Sequence, residues 1–261
     1  MYHPIRSFVP PLTFLLLGLV AAVPARAQAL LVDLTFDAAD LTQTGTASTT
    51  FSPYQGALTF EPGVNGGTAA VFDGYASFQA SDTPFTSGLT IAFWMKTTTD
   101  NGGTGGSWFE GTGLIDGELP GDTTDFGLSQ IGTRIAFGIG STDSTIFSTS
   151  NVNTGAWTHV AATWDNSGSM NLYINGLLEA SYSIASFDLR DPTNQFFVGM
   201  DLSGAAYTGS LDEIRIYDSV LSGSQIAGLA TFAAVPEPST FMLIGLGVLS
   251  LGLARRRRAR A

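Results

Sequence analysis

The chain has 261 residues, with 22 acidic and 11 basic side chains, 31 glycines and no cysteine. Between residues 28 and 235, which leaves out two terminal segments described below, 21 acidic residues accompany only 4 basic ones, a net charge near −17. Such an acidic domain argues against nucleic acid and anionic lipid surfaces as partners, and favours divalent cations or neutral and cationic molecules. Without cysteine, the fold must be held by its core and by any metal ions it binds.

Residues 1–27 have the pattern of a secretory signal peptide. Arg6 supplies a positive start, residues 12–23 form an apolar run, and Ala25-Arg26-Ala27 offers a small-residue cleavage site before Gln28. The apolar run is short for a membrane span. The sequence therefore predicts a helical signal peptide and export of the chain.

Strand patterns follow in the first half of the exported part. Residues 29–36 predict the opening strand, and residues 54–60 a short one. Residues 68–80 contain two apolar pieces on either side of Asp73-Gly74, which predicts a hairpin. Residues 87–97 alternate between apolar and polar side chains, which is typical of a central strand.

Residues 100–127 predict a long glycine-rich loop that carries several acidic side chains. A loop of this length in a compact domain is usually functional or flexible. Short strands are predicted after it, at residues 126–131, 134–140 and 145–150.

Residues 155–182 predict a three-stranded β-meander, which is the clearest pattern in the chain. Residues 157–164 alternate in two faces, and Asn175-Gly176 favours a type I′ hairpin turn. Two more strands are predicted at residues 195–200 and 208–217, and a closing helix at residues 221–229 with Ser222 as its N-cap. About a dozen short strands separated by turns predict an all-β fold, a two-sheet antiparallel sandwich or jelly roll.

The C-terminal tail has three parts in order. Pro236-Glu237-Pro238 precedes an apolar run at residues 241–254, which precedes five arginines among residues 255–260. This tail resembles the PEP-CTERM sorting signal, which an exosortase recognises in exopolysaccharide-producing Gram-negative bacteria. The resemblance implies a transmembrane helix held transiently in the inner membrane, with the arginines on the cytoplasmic side, and delivery to the cell surface or extracellular matrix. An ordinary tail anchor, the alternative, would not require Pro-Glu-Pro.

The strands from about Leu31 to Leu229 resemble LamG-like, concanavalin A-like jelly-roll domains. The blocks that carry the resemblance are FTSGLTIAFWMKT, GAWTHVAATWD with MNLYINGLL, and YTGSLDEIRIYDSVLSGSQI. The implied organisation is a signal peptide at 1–27, a LamG-like domain at 28–233 and a sorting signal at 234–261. Members of this family bind glycans, bind proteins, bridge through calcium or act as spacers, so the fold alone leaves the function open.

Catalysis finds little support in the residues. His159 is the single histidine between residues 28 and 235, and its place within a strand favours a structural role. Glycan hydrolysis needs two carboxylates across a cleft, whereas Asp212 and Glu213 are adjacent and are expected to point to opposite faces. The prediction is a non-enzymatic protein with no catalytic residues.

Calcium is the expected cofactor, because hard cations bind carboxylate and carbonyl oxygens. The family resemblance implies a calcium ion joining an early strand to the last one, with Asp37, Asp73 and Asp212 as candidate ligands. The alternative is that Asp73 and Asp212 cap turns and pair with Arg215 or with backbone amides. Asp116, Glu118 and Asp125 form a second candidate cluster, for which a solvated acidic loop is the alternative.

Sugar binding is the expected function, since an aromatic ring can stack on the apolar face of a sugar. Trp108 and Phe109 in the glycine-rich loop are the candidate rings, with Asp116, Glu118 and Asp125 as polar partners. Trp94, Trp157 and Trp164 are expected in the core. The predicted function is a surface-delivered binding module associated with exopolysaccharide or other glycans. The alternatives are a calcium-stabilised structural or adhesive protein without a sugar ligand and, less favoured, a glycan-active enzyme.

Overall fold

The structure, a computed structural model, describes residues 28–75, 77–81, 88–103, 105–118, 125–140, 144–185 and 196–231. The described residues form two antiparallel sheets, as predicted. The fifteen strands, in chain order, are β1 (Leu30–Leu34), β2 (Thr50–Gln55), β3 (Thr59–Pro62), β4 (Thr68–Asp73), β5 (Ser77–Ser81), β6 (Gly88–Lys96), β7 (Thr112–Asp116), β8 (Phe126–Ile131), β9 (Arg134–Ile139), β10 (Ser144–Phe147), β11 (Thr158–Asp165), β12 (Ser169–Ile174), β13 (Leu177–Ser183), β14 (Phe196–Val198) and β15 (Thr208–Tyr217). The predicted signal peptide and C-terminal helix lie outside the described residues and stay predictions.

The larger sheet has the order β13-β12-β11-β6-β15-β4-β3, and β1 pairs with β15. The smaller sheet has the order β10-β9-β8-β7-β14-β5-β2. The inner faces of the two sheets form one hydrophobic core that includes Val32, Phe93, Leu128, Phe137 and Trp164. The pairing of β1 with β15 places the first and last strands side by side, as expected for a jelly roll.

The predicted meander is confirmed as β11, β12 and β13. Val160, Ala162 and Trp164 of β11 point into the core, so the alternation in the sequence identified the buried face correctly. Asn175 and Gly176 both have positive φ, at 50° and 78°, as a type I′ turn requires.

The predicted hairpin at Asp73-Gly74 is wrong. β4 pairs with β15 and β3 in the larger sheet, whereas β5 pairs with β14 and β2 in the smaller one. The turn thus passes from one sheet to the other. Gly74 has the positive φ of a tight turn, but this conformation does not decide whether the flanking strands pair.

The prediction that residues 100–127 form one long loop is also wrong. The segment contains a 3₁₀ turn, Trp108–Glu110, and the fully buried strand β7, which lies between β8 and β14. Gly113 is required in this strand because a Cβ there would overlap the backbone of Met200. The glycines that suggested a loop therefore permit close packing in a strand.

The closing helix α1, Gly223–Leu229, covers part of the outer face of the larger sheet. Ile226 packs there with Ala92, Ala161 and Tyr173, and Ser222 caps the helix by accepting a hydrogen bond from the backbone N–H of Gln225, as predicted. Within the described ranges, no helix is long and apolar enough to cross a membrane.

Candidate functional site

A continuous row of residues crosses the outer face of the smaller sheet. The strand registers place these side chains next to one another, because cross-strand partners share a face. In order from β10 to β2, the row is Thr145, Gly138, Gly127, Asp116, Phe197, Gln79 and Ser52. Two glycines, a carboxyl group and an aromatic ring therefore lie side by side on this face.

Trp108 covers the two glycines. A Cβ on either Gly127 or Gly138 would overlap its ring, so the ring lies flat against the sheet backbone. The backbone N–H of Trp108 donates to Thr145 Oγ1 at 3.1 Å, and its backbone carbonyl accepts from Ser129 Oγ at 2.5 Å. Only 1% of Trp108 is exposed. The predicted sugar-stacking role therefore does not fit Trp108, which instead anchors the glycine-rich segment to the sheet.

The anchored segment places Phe109 at a pocket of about 310 Å³. We call it the β7 pocket, and its lining residues are Phe109, Glu118, Asp201, Leu202 and Ser203. The second wall is the turn that follows β14, where Asp201 Oδ1 accepts from Ser203 Oγ at 2.8 Å and from the N–H of Ala205 at 2.7 Å. A ring and a leucine thus share the pocket with two carboxylates and a hydroxyl.

Asp116 is buried beside this pocket, with 2% of its surface exposed. Its Oδ1 accepts from the N–H of Glu118 at 2.7 Å, and the backbone of Leu202 also donates to it. Burial, with the charges of Glu118 and Asp201, raises the pKa of Asp116 to about 7 against the lowering effect of the hydrogen bonds. Asp116 thus joins both walls of the pocket.

The structure brings together three of the five predicted ligand-binding residues, Phe109, Asp116 and Glu118. Asp125 lies at the start of β8, where its carbonyl accepts from the N–H of Gly140 at 2.9 Å, and it is not among the lining residues. Sequence reasoning missed Asp201, Leu202 and Ser203. The Asp-Leu-Ser-Gly turn sequence was visible, but nothing in it indicates that it folds over β7.

A second aromatic group lies on the same outer face, beyond Asp116. The ring of Tyr54 packs edge-on against Phe197 with 4.9 Å between centroids, and Tyr54 is 48% exposed. Phe109 and Tyr54 therefore lie on the two sides of Asp116 across the sheet.

Two of the three predicted calcium ligands, Asp37 and Asp212, meet at one corner of the sandwich. A Cβ on Gly67 would overlap Asp37, and a Cβ on Gly63 would lie 2.6 Å from Asp212 Oδ2, so two glycines make room for both carboxylates. Asp212 is 2% exposed, and burial, with the charges of Glu213 and Asp37, raises its pKa to about 7. Its oxygens accept from the N–H groups of Val64 and Glu213, both at 2.8 Å, which lower the pKa.

Asp73 does not join this corner. Asp73 pairs with Thr208 in β15, four residues before Asp212, and its carboxylate accepts from the N–H of Tyr75 at 3.0 Å. In the described part of the chain, no three or more His, Cys, Asp or Glu side chains are grouped to hold a metal ion. A cation at the corner would thus rely on Asp37 and Asp212 with oxygens other than carboxylates.

Asp212 and Glu213 do not point to opposite faces as expected. The register of β15 against β6 shifts between Asp212 and Arg215, which is the mark of a β-bulge, and Glu213 has a φ of 52°. Both carboxylates consequently contact one loop, Asp212 at Val64 and Glu213 at Asn65. Arg215 pairs with Asp33 at 3.0 Å and with Glu213, and not with Asp212.

Sequence comparison identifies the domain. Residues 69–227 match the family model of the concanavalin A-like lectin/glucanases superfamily. The chain belongs to this superfamily. The fold of its described residues agrees with that membership, and no curated protein matches the chain in sequence.

Several solved structures have a fold similar to this one. Domain 4 of AbnA, an extracellular arabinanase of family GH43 from Geobacillus stearothermophilus solved with arabinotriose, has 22% identity and a TM-score of 0.62, covering 78% of this chain and 99% of that domain. The binding domain of Paraclostridial Mosquitocidal Protein 1 has 15% identity and a TM-score of 0.63, covering 77% of this chain and 52% of that one. Botulinum neurotoxin type C, whose cell entry depends on interaction with two ganglioside molecules, has 14% identity and a TM-score of 0.61, covering 77% of this chain and 50% of that one. This chain thus spans about half of each toxin chain, and at these identities the likeness concerns the fold alone.

The C-terminal tail matches the PEP-CTERM protein-sorting motif over residues 234–258. The motif, which includes Pro236, Glu237 and Pro238, confirms the resemblance seen in the sequence and indicates export and surface sorting in a Gram-negative bacterium.

A superfamily that includes glucanases raises the question of a catalytic base. His159 lies in β11 with 1% exposure, its ring 5.1 Å from that of Trp94. Burial, with the positive charge of Arg215, lowers the pKa of His159 to about 4, so the imidazole is neutral at physiological pH. Its backbone N–H donates to Asn175 Oδ1 at 3.0 Å, which ties the strand to the I′ turn. The placement is that of a structural histidine.

Proposed function

We propose that this domain is a non-enzymatic glycan-binding module of the cell surface, and that it holds a neutral sugar in the β7 pocket. The observation that carries the proposal is the meeting of the Phe109 ring with Glu118, Asp201 and Ser203 in a single pocket. A ring can cover the apolar face of a sugar while carboxylates and a hydroxyl fix its hydroxyl groups. The acidic lining and the net charge near −17 both disfavour an anionic glycan.

The glycan-active enzyme is the less favoured reading, because Asp116 is poorly placed for acid–base chemistry. Its raised pKa would suit a general acid, but only 2% of it is exposed and both walls of the pocket donate hydrogen bonds to it. A general acid must reach the glycosidic oxygen directly or through one water. The geometry supports a structural role, in which Asp116 accepts hydrogen bonds from the backbones of Glu118 and Leu202 and holds them together.

The sorting signal supports a cellular setting for the proposed glycan binding. We infer that an exosortase processes the C-terminal segment, that the inner membrane holds the chain only transiently, and that exopolysaccharide outside the cell is the partner of the pocket. The support is the PEP-CTERM match together with the exposed pocket on a domain of the lectin/glucanase superfamily.

Phe109→Ala is expected to weaken glycan binding about tenfold or more. Removing the ring forfeits one aromatic side chain buried against the sugar, and about 1.4 kcal/mol corresponds to each factor of ten. Glu118→Gln is expected to weaken it less, since the amide keeps one acceptor oxygen. A glycan array of neutral oligosaccharides on the exported protein, followed by calorimetry on the best binder, measures both.

The matched control is Trp157→Ala, which removes a half-buried ring that packs against Lys96, a lining residue of a different pocket. That pocket, of about 220 Å³, includes Lys96 and Glu61, joined by a 2.6 Å ion pair, and the Trp157 ring packs against Lys96. Equal binding by wild type and Phe109→Ala, with loss only in Trp157→Ala, would move the site to the larger sheet. Hydrolysis of the array ligands would instead support the enzyme.

A second candidate function is a calcium-stabilised structural or adhesive role, favoured by the glycine-lined corner of Asp37 and Asp212. A cation there would relieve the repulsion that raises the pKa of Asp212 and would tie the chain after β1 to β15. Calcium chemistry needs oxygen ligands, and both residues supply carboxylates.

Calcium is expected to raise the thermal midpoint of the exported protein over that in EDTA. Binding to the folded form alone adds RT ln(1 + [L]/Kd), about 2.7 kcal/mol at a hundredfold excess. The shift should disappear in an Asp37→Asn and Asp212→Asn double variant and persist in Asp73→Asn, the matched control. An unchanged thermal midpoint in the wild type would contradict the proposal that this domain binds calcium.

A further inference from the structure

The last described residues leave the domain beside the turn between β12 and β13. Helix α1 packs on this turn so closely that a Cβ on Gly176 would lie 2.9 Å from Ala227 Cα and 3.1 Å from Ala230 Cβ. The chain therefore departs toward its sorting signal from the end of the sandwich where β13 begins.

Two large apolar side chains are exposed at this same end. Leu177 is 71% exposed and Leu178 is 55% exposed, and they are the first two residues of β13, an edge strand of the larger sheet. The register pairs Leu177 with Ile174 on the core face and Leu178 with Tyr173 on the outer face. The two leucines therefore flank the tip of the β12–β13 hairpin, and a tip that enters an apolar medium end-on would place both side chains in it.

The edge of β13 is poorly suited to pairing with a second copy. The register against β12 shifts between Leu172 and Tyr173, which leaves Glu179 as an extra residue in a bulge. The carboxylate of Glu179 accepts from the N–H groups of Thr149 and Ser150 at 2.7 and 3.0 Å, so the bulge is fixed to the neighbouring loop. Bulges at sheet edges interrupt the pairing that strand addition needs.

The length of the tether decides which side of the domain faces a membrane. Nine residues, 232–240, separate Thr231 from Phe241, the start of the apolar run, and the ten steps from Cα to Cα span at most about 35 Å. A domain of roughly 200 residues has a radius of gyration of about 17 Å, which corresponds to about 43 Å across. While residues 241–254 are in the bilayer, the tether is too short for the opposite side of the domain to touch it.

We propose that Leu177 and Leu178 enter the interfacial layer of the lipid bilayer while the sorting signal holds the chain at the membrane. This contact orients the domain before its release. The end of the sandwich where β13 begins faces the bilayer, and the rest of the sandwich lies in solvent. The lipid surface is zwitterionic, since the acidic domain is repelled by anionic lipid. The proposal rests on the sorting signal and the exit geometry, and is independent of the glycan pocket.

The absence of cysteine makes a direct test possible. The membrane-held form, residues 28–261, is purified from a host without exosortase as a Leu178→Cys variant, and its single thiol carries the environment-sensitive fluorophore NBD. In phosphatidylcholine vesicles, the emission maximum is expected to move to the blue and iodide quenching to fall. Circular dichroism confirms that the labelled variant is folded.

The matched control carries the label at Ser167→Cys. Ser167 is exposed in the turn between β11 and β12, at the opposite end of β12 from Leu177, about 17 Å or more along the strand. Its spectrum is expected to stay that of an aqueous label. A water-like spectrum at position 178, or equal shifts at both positions, would overturn the proposal. A blue shift at 178 without vesicles that grows with protein concentration would also overturn it, in favour of a second copy.

Discussion

Replacing Trp164 with alanine is expected to lower the free energy of unfolding by about 3–5 kcal/mol. Trp164 is fully buried in the core, where the registers place it between Leu89 of β6 and Met170 of β12. The central strands on both sides cannot close the space of an indole without moving the sheet, so most of the cavity should remain. Urea unfolding of the exported protein, followed by circular dichroism, measures the change.

Trp157→Ala is the matched control, because it removes the same type of side chain at the position immediately before β11. Trp157 is half-buried outside the core and packs with Lys96, whose Nζ lies 4.9 Å from the ring centroid. An exposed cation–π contact contributes about 0.5–1 kcal/mol, so the control should lose little stability. A cost below about 1 kcal/mol for Trp164→Ala would mean that the assigned faces of β11 are reversed.

The contrast between these two tryptophans shows what a sequence pattern can decide. Alternation along β11 identifies which residues share a face, and Trp164 shares one with Val160 and Ala162. The expectation that Trp157 lies in the core is wrong, because it precedes the strand and packs outside the two sheets. Alternation says nothing about residues beyond the paired length of a strand.

Strand pairing is the part of the fold that local patterns could not supply. Asp73-Gly74 has the sequence of a hairpin turn, yet the strands around it join different sheets. β7 was hidden because the glycines in and around it resemble those of a loop. Gly113 in fact lets the Met200 backbone approach β7, and Gly127 and Gly138 of the next two strands let Trp108 approach the sheet. Both features depend on contacts with residues distant in the chain.

The candidate sites show the same division. Phe109, Asp116 and Glu118 are close in sequence, and their acidic and aromatic character was enough to single them out. Asp201 and Leu202 complete the pocket from about 85 residues away, and only the pairing of β14 with β7 brings them there. Asp37 and Asp212 were placed together correctly because first and last strands pair in this kind of sandwich.

Trp108 illustrates how burial can reverse a functional interpretation. A tryptophan in a glycine-rich segment resembles an exposed stacking platform, but the register aligns Gly127 with Gly138 and leaves a flat surface that fits the ring. The neighbouring Phe109 then becomes the accessible aromatic side chain. The order of the two residues along the chain contains no sign of this exchange.

Stability is expected to fall as the pH rises from about 4 to 7, and Asp116 is expected to account for much of the fall. The pKa of this carboxyl is about 7 in the folded protein against an ordinary value of 3.8, because burial disfavours its charge. Between these values the folded protein holds a proton that the unfolded chain has released, so raising the pH favours unfolding. The contribution of the protonated Asp116 carboxyl to the free energy of unfolding is complete below about pH 4 and is lost by about pH 7.

Asp116→Asn should remove the part of this dependence that comes from Asp116, since an amide keeps an acceptor for the N–H of Glu118 and cannot ionise. At pH 8 the variant is expected to be more stable than the wild type by up to about 4 kcal/mol, from a shift of about three pKa units at 1.36 kcal/mol each. At pH 4 the two proteins should be nearly equal. Urea unfolding across this range in EDTA measures the difference free of any effect of cations on Asp212, whose pKa is also raised to about 7.

The control, Asp40→Asn, changes an exposed carboxylate that accepts from the N–H of Thr42 and should follow the wild type at every pH. If Asp116→Asn shows the same fall in stability as the wild type, then the carboxyl is ionised in the fold, and the β7 pocket must be open enough for water to reach it.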